Sequence, residues 1–489
     1  MRFSYKFFVL AIVFMQSMTS CKKDFFDLEP TNSVALNSAI KSEADLNAAT
    51  NGMYNGLRSV NLYGRTLIVK GDLMGDDVYL KTGNSGRYLW ARDYNATAAN
   101  TDMEGVWNSA YSTIKNANAI IASSLPTSAI VDELKGEAYT IRALMHFELL
   151  KNFAKPYTVD PNALGVPIVT KFDQNALPAR NTVKEVYQQI IADLNQAYTM
   201  VKLNLGQSFT ITSTNTTRTK NTSYITKYAV KALLARVYQH MGDWTNAKDA
   251  ALDVINNGGF TLVDTTGYAN YWKSPASRTD KLETIFEVSS DISGNLGTNS
   301  LSGFYDAFGG GYGDVWVTTE LYNQYSGTDI RTKVIRTSTT LSTGNTVYTI
   351  YKYQNNTNSA DKDDTKVLRY ADVVLILAEA YANLGDDANA RLRLNQVAQK
   401  RDPAFAGYTS SGAQLKADII AERRKEFAFE GLRYWDFTRL NLPIPNHTKS
   451  QFPTVLSPID VNNTRRINAI PQTEVDANPT IKPQQNTGY

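Results

Sequence analysis

The densest group of potentially reactive side chains lies near the C-terminus, where Glu422, Glu426 and Glu430 mingle with Arg423, Arg424, Arg433, Asp436 and Arg439. Carboxylates and guanidiniums this close could form an acid–base centre. At i, i+3 and i+4 spacing they also pair along one helix and with its neighbours, and such clusters often only hold helices together. We give them that structural role, and Arg142 with Glu137 and Glu148 likewise. The three histidines, His146, His240 and His447, fall at no metal-ligand spacing, and His146 and His240 are expected to be packed inside helices. Asp361, Asp363 and Asp364 resemble the start of a calcium loop, but its sixth position, where glycine is required, is Lys366, so a solvated turn is expected. No metal and no cofactor is expected. The sequence has no phosphate loop and no G-x-S-x-G elbow. Two carboxylates at glycosidase separation need not be neighbours in a chain, so glycoside hydrolysis stays open as an alternative.

The aromatic residues offer a different chemistry. Trp107, Trp244 and Trp435 fall at apolar positions of helices or hairpin turns and are expected in the core. Trp90, Trp272 and Trp316 lie in irregular stretches, Trp90 near Tyr79, Tyr88 and Arg92, and Trp316 near Tyr305, Phe308 and Tyr312. A sugar ring has an apolar C–H face and an equatorial crown of hydroxyls. A protein binds it by laying a flat ring under the face and aiming polar groups at the hydroxyls. The expected ligand contacts are Trp90, Tyr79, Tyr88, Trp272, Tyr312 and Trp316, with Asp76, Asp77 and Asp314 as polar partners, and Asn84 and Arg87 as further candidates. Rings that only pin loops to a scaffold are the alternative.

These loops need a frame, and the sequence contains one. Leu234, Ala235, Tyr238, Gly242, Asp243, Ala247, Ala251 and Val254 have the spacing of two antiparallel helices joined by a tight turn, the tetratricopeptide pattern. Leu377, Ala378, Tyr381, Gly385, Asp386, Ala390, Leu394 and Val397 repeat it, each 143 residues after its counterpart. Such hairpins must stack to bury their apolar faces. Further helices are expected at Ser42–Val60, Glu104–Ser123 and Asp132–Phe153, and from Thr182 to Val201, where Thr182 and Glu185 form a capping box. A last one is expected from Leu415 to about Leu440. Residues 67–100 lose helical period and read as a long loop. Residues 206–223 read as an exposed loop, and residues 259–366 as an irregular insertion with short β runs at Thr284–Val288 and Thr346–Tyr353. The fold class is mainly α.

Residues 1–20 have a basic start, an apolar run from Phe7 to Met15 and a small polar exit, as a secretory signal does; nine apolar residues are too short to span a bilayer. Cys21, the single cysteine, follows at once and resembles the lipidation site of bacterial lipoproteins, relaxed as in the Bacteroidetes. Lipidation there would tether the protein to a membrane rather than embed it. Residues 21–38 form a mixed-charge leader. The formal net charge of +3 lacks the basic excess that nucleic-acid binding needs.

The chain resembles the SusD/RagB family of Bacteroidetes outer-membrane lipoproteins. The resemblance rests on Glu137-Ala138-Tyr139 with Arg142-Ala143-Leu144 and Phe147, Gly165-Val166-Pro167, and Tyr228 to Gly258. Later it rests on Arg369-Tyr370-Ala371-Asp372 with Ala378-Glu379-Ala380, on Glu422-Arg423, Glu426, Glu430-Gly431, Arg433, Asp436 and Arg439, and on the ending Gln485 to Tyr489. It implies a scaffold of four tetratricopeptide-like hairpins, divided here as 39–258, an insertion 259–366 that binds ligand, and 367–489. It also implies capture of an oligosaccharide or polysaccharide for a SusC-like TonB-dependent transporter, at the cell surface and without catalysis. Some members bind peptides instead.

Overall fold

The computed structural model describes residues 39–173, 175–273, 277–290, 294, 296–308, 310–339, 346–353, 364–445 and 458–489. The signal, Cys21 and its leader, the Asp361 and Asp363 carboxylates and His447 lie outside them. In chain order the elements are α1 (Glu43–Leu57), α2 (Thr66–Leu73), β1 (Val78–Leu80), α3 (Leu89–Asp93), α4 (Thr101–Ile121), α5 (Ala129–Phe153), α6 (Val183–Met200), β2 (Ser208–Ile211), β3 (Thr216–Thr219), α7 (Lys227–Met241), α8 (Trp244–Asn257), α9 (Tyr268–Lys273) and β4 (Thr284–Val288). They continue with α10 (Leu301–Tyr305), β5 (Val315–Val317), α11 (Thr319–Tyr322), β6 (Ile335–Thr339), β7 (Thr346–Ile350), β8 (Thr365–Arg369), α12 (Tyr370–Asn383), α13 (Asp387–Arg401), α14 (Gly412–Glu426), α15 (Arg433–Arg439) and α16 (Gln472–Ala477).

The two repeats become matched hairpins, α7–α8 and α12–α13. In each, glycine at a positive φ (Gly242, 71°; Gly385, 83°) ends the first helix, and the aspartate after it caps the second by accepting from a backbone N–H three residues on. Ala235 and Ala247 are fully buried at the first seam, so the backbones approach closely, and α8 packs on α12. Helices α4, α5 and α6 form the neighbouring layer, with the Thr182–Glu185 capping box in place. The mainly helical architecture follows the sequence pattern.

Several expectations need correction. Residues 67–100 hold α2, β1 and α3 rather than one loop. Residues 208–219 form a β-hairpin whose Arg218, with Lys220 just after it, reaches into the interior and pairs with Glu137. The apolar period missed this because the buried groups are charged. The helix expected from Leu415 to Leu440 breaks at Phe429 and Gly431, both at positive φ, giving α14 and α15. Gly431 is needed there, because a Cβ on it would fall 2.8 Å from the backbone of Ile68 in α2. Asp364 is buried, not part of a solvated turn, and accepts from the Ser290 N–H.

The C-terminal charges are buried and paired. Glu426 accepts from Arg369 at 2.9 Å and Arg401 at 3.0 Å, and also faces Arg331. Burial acts to raise its carboxyl, but the three guanidiniums outweigh this and hold it well below the carboxylate range. Asp436, between Arg423 and Arg439, is held at about 2 against the same burial. Asp72 behaves oppositely: burial lifts it from 3.8 to about 8, despite bonds from Tyr305 and the Gly431 N–H.

Glu426→Gln is expected to destabilise the fold by about 3–5 kcal/mol in urea unfolding, since it leaves buried guanidiniums uncompensated. The depressed carboxylates of Glu426 and Asp436 contribute stability above their unfolded values that is lost as pH falls toward about 2. The contribution of Asp72 is complete below 3.8 and is lost as pH rises to about 8. Stability measured across that interval should therefore decline less steeply in Asp72→Asn than in the parent.

Candidate functional site

The antiparallel sheet β1-β5-β7-β6 brings together segments that are far apart in sequence. Its register places Tyr79, Trp316, Thr349 and Arg336 side by side in one row, with Lys81, Asp314 and Tyr351 in the next row of the same face. The opposite face carries Val78, Leu80, Val315, Val317 and Ile350, all buried in the main core. One face therefore holds the sheet to the body, and the other presents aromatic and basic side chains.

The rings on the outer face are in contact with one another and with cations. Tyr79 and Trp316 meet edge-on at 6.2 Å between centroids, and burial raises the Tyr79 hydroxyl to about 12, so the ring stays neutral. The Trp316 indole N–H donates to the Gly313 carbonyl at 3.2 Å. Lys81 donates to the Tyr312 carbonyl at 2.8 Å, and the Arg87 guanidinium lies 4.4 Å from the Tyr312 ring centroid. Phe308, 54% exposed, packs against Arg336, which also lies over Tyr351. The loop carrying Phe308 and Tyr312 doubles back through Gly313, whose φ is 53° and where a Cβ would fall 2.4 Å from the backbone of Ala307.

Of the nine expected contacts, this face holds Tyr312 and Trp316 partly exposed, and Tyr79 in the same row but buried, packed against Trp316 rather than open to a ligand. Asp314 lies beneath the face, buried, accepting from the Ser85 N–H at 3.0 Å and from its hydroxyl. It shapes the loop rather than meeting a ligand. Asp76 and Asp77 are corrected too. Arg433 donates to Asp76 at 2.7 Å and Arg424 to Asp77 at 2.6 Å, so both carboxylates anchor the start of β1. Tyr88 is buried, its hydroxyl bonded to Arg65 and Thr66. Trp90 stands half-buried on α3, donating to Asp102 at 2.7 Å, apart from the sheet. Trp272 is the clearest correction. It is 4% exposed, with Lys352 at 4.1 Å and Arg369 at 5.2 Å from its ring, and is an interior packing residue.

A cavity of about 490 Å³ lies elsewhere, lined by Tyr187, His240, Trp435, Arg180 and Arg439 among others. Its principal cations are committed, Arg439 to Glu379 and Arg180 to the carbonyl oxygens of Phe153, Leu164, Gly165 and Gln484. Burial, with the charges of Lys151 and Arg439 next, pushes His240 well below its usual value. On the sheet face, Arg336 and Arg87 lie over rings and have no carboxylate partner among the described residues. Among the described residues, no cluster of three or more His, Cys, Asp or Glu could hold a metal ion, and no helix is long and apolar enough to cross a membrane.

Comparison with known proteins places this architecture. A family model described as starch-binding, associating with outer membrane, matches residues 24–239, and one described as SusD family matches residues 338–489. The chain belongs to the SusD/RagB family. SusD-like protein P2 of Formosa agariphila is 26% identical over 497 residues, spanning 89% of this chain and 91% of that relative. A crystal structure of a SusD superfamily protein from Bacteroides thetaiotaomicron is 27% identical with a TM-score of 0.78, covering 91% of this chain and all of the other. Another, from Bacteroides vulgatus, is 25% identical with a TM-score of 0.81, covering 92% and 99%.

In this SusD/RagB protein the sequence reading missed Lys81, Arg336 and Tyr351. Alternation in Thr346–Tyr353 points to a strand, yet nothing local reveals that its neighbours are β5 and β6. Denaturant unfolding should separate the tryptophans. Trp272→Ala is expected to cost about 3–5 kcal/mol as a core truncation, whereas Trp316→Ala, half-exposed, should cost clearly less.

Proposed function

We propose that this protein is a glycan receptor that binds an oligosaccharide or polysaccharide on the outer face of the β1-β5-β7-β6 sheet and performs no chemistry on it. The observation that carries this reading is the juxtaposition of Trp316, Tyr312 and Phe308 with Lys81, Arg87 and Arg336, Tyr79 being buried behind Trp316. Flat rings take the C–H faces of sugars, and the polar groups around them take the hydroxyls. The starch-binding description of the family model supports the same ligand class. The insertion 259–366 supplies most of this surface, and residues 39–258 and 367–489 are its scaffold.

The protein is tethered through a lipid on Cys21 to the outer membrane, facing outward, and passes its ligand to a SusC-like TonB-dependent transporter. Cys21→Ser should move the protein from the membrane to the soluble fraction, and the wild type should co-purify with the transporter.

Calorimetric titration of residues 22–489 with a polysaccharide panel tests the site. Removing a ring that covers the ligand costs about 2 kcal/mol, so Trp316→Ala should weaken binding roughly thirtyfold while circular dichroism is unchanged. Equal binding by parent and variant would move the site elsewhere. Binding of peptides alone would overturn the glycan reading, and release of new reducing ends would make the protein a hydrolase.

A further inference from the structure

Arg336 is held over two rings. Its guanidinium carbon lies 3.9 Å from the Tyr351 ring centroid and 4.5 Å from that of Phe308. Among the described residues it has neither a carboxylate within salt-bridge distance nor a side-chain hydrogen bond. Arg87 is similar. It lies over Tyr312, its hydrogen bond is to the Asn299 amide oxygen at 3.2 Å, and no carboxylate of the described residues pairs with it. Lys81, on the same face, is bonded to a carbonyl oxygen.

Elsewhere, Arg65, Arg180 and Arg465 are also held by rings or neutral oxygens, but many buried arginines are ion-paired. Arg142, Arg218, Arg236, Arg331, Arg369 and Arg401 each have a carboxylate partner. The acids near the sheet face are spoken for or few. Asp314 is held by Ser85, and Asp306 accepts from the Phe308 N–H at 2.9 Å. Glu320 lies beside Tyr79. Among the described residues, the surface that displays the rings therefore carries Arg336 and Arg87 without a carboxylate partner.

A guanidinium laid on an aromatic ring is fixed in orientation and only weakly hydrated, and it keeps its edge N–H groups available. Those donors match a carboxylate or sulfate in a two-pronged hydrogen bond, which is stronger than one to a neutral hydroxyl. A receptor for neutral sugar has no need of two ring-stacked cations without counter-ions. Amide or hydroxyl side chains would serve it and would not attract competing anions.

We propose that the ligand is an acidic glycan, its carboxylate or sulfate groups held by Arg336 and Arg87 while a sugar face lies on Trp316 and Tyr312. This rests on the reading of the sheet face as the binding site. Anionic groups specify the ligand, and the rings supply area.

The test is calorimetry of residues 22–489 with polygalacturonate, carboxyl-reduced polygalacturonate, carrageenan and amylose, using the parent, Arg336→Gln, Arg336→Lys and Trp316→Ala. Tighter binding of polygalacturonate than of its reduced form identifies a carboxylate, and tighter binding of carrageenan identifies a sulfate ester. Either supports the proposal if Arg336→Gln weakens binding roughly tenfold or more and Arg336→Lys recovers only part of it. Affinity should also fall as salt rises from about 0.1 M to about 1 M, where the Debye length shrinks from about 10 Å to about 3 Å. Preference for amylose or the reduced polymer, with Arg336→Gln unchanged, overturns the acidic ligand, and loss in Trp316→Ala then leaves the sheet site standing. Binding that survives both substitutions overturns the site itself. Absence of binding to every polymer overturns both.

Discussion

The structure depends on charges taken out of water in opposite pairs. Glu426, with Arg369, Arg401 and Arg331 around it, sits where α12, α13, α14 and the turn leading into β6 converge. Glu283 joins from the edge of β4, and Glu430 adds Arg369 and Lys352. Removing such ions from water costs several kcal/mol apiece, and the mutual attraction offsets that only when every partner is in place. An arrangement of this kind adds little net stability but penalises any other packing of the elements it joins. Two further sets do the same elsewhere. Arg423 and Arg439 are bound by Asp372, Asp436 and Glu379, and Arg218 and Lys220 by Glu137.

The same helices position the proposed binding surface. β1 and β6 are the two edges of the four-stranded sheet. β1 follows directly on Asp76 and Asp77, which are gripped by Arg433 of α15 and Arg424 of α14. β6 follows on Arg331, which is gripped by Glu422 and Glu426 of α14. Both edges are therefore fixed to one pair of C-terminal helices, and Tyr79 and Arg336 at the ends of the row take their places from that. The cluster that looks most like an active site in the sequence is the support of a site it does not belong to. This also explains why a surface built from short strands and glycine-rich loops can be ordered enough to meet a ligand without a large rearrangement.

The sequence was most legible where one element answers to a local pattern. The 143-residue repeat, the glycine–aspartate turns and the Thr182 capping box are carried by spacing alone, and each is found where expected. Legibility failed where the partner is distant and polar. Asp76 looks like a sugar-binding carboxylate until Arg433, more than 350 residues later, is seen to hold it. Arg218 sits in a Thr-rich stretch that resembles an exposed loop, and its burial follows from Glu137 on another element. Trp272 lies in an irregular segment, yet its ring is an interior lid over Lys352 and Arg369. Local composition marks a loop as irregular but does not say which way its rings turn. For that reason the sequence singled out Tyr312, Trp316 and Arg87 of this face but not Lys81 or Arg336.

The measurement that bears most directly on this account is amide hydrogen exchange of residues 22–489 with and without saturating ligand. The account predicts slower exchange confined to residues 79–87, 305–317 and 335–351, with the helical hairpins unchanged. Protection centred instead on the cavity beside His240, Trp435 and Arg439, with none on the sheet, would contradict it.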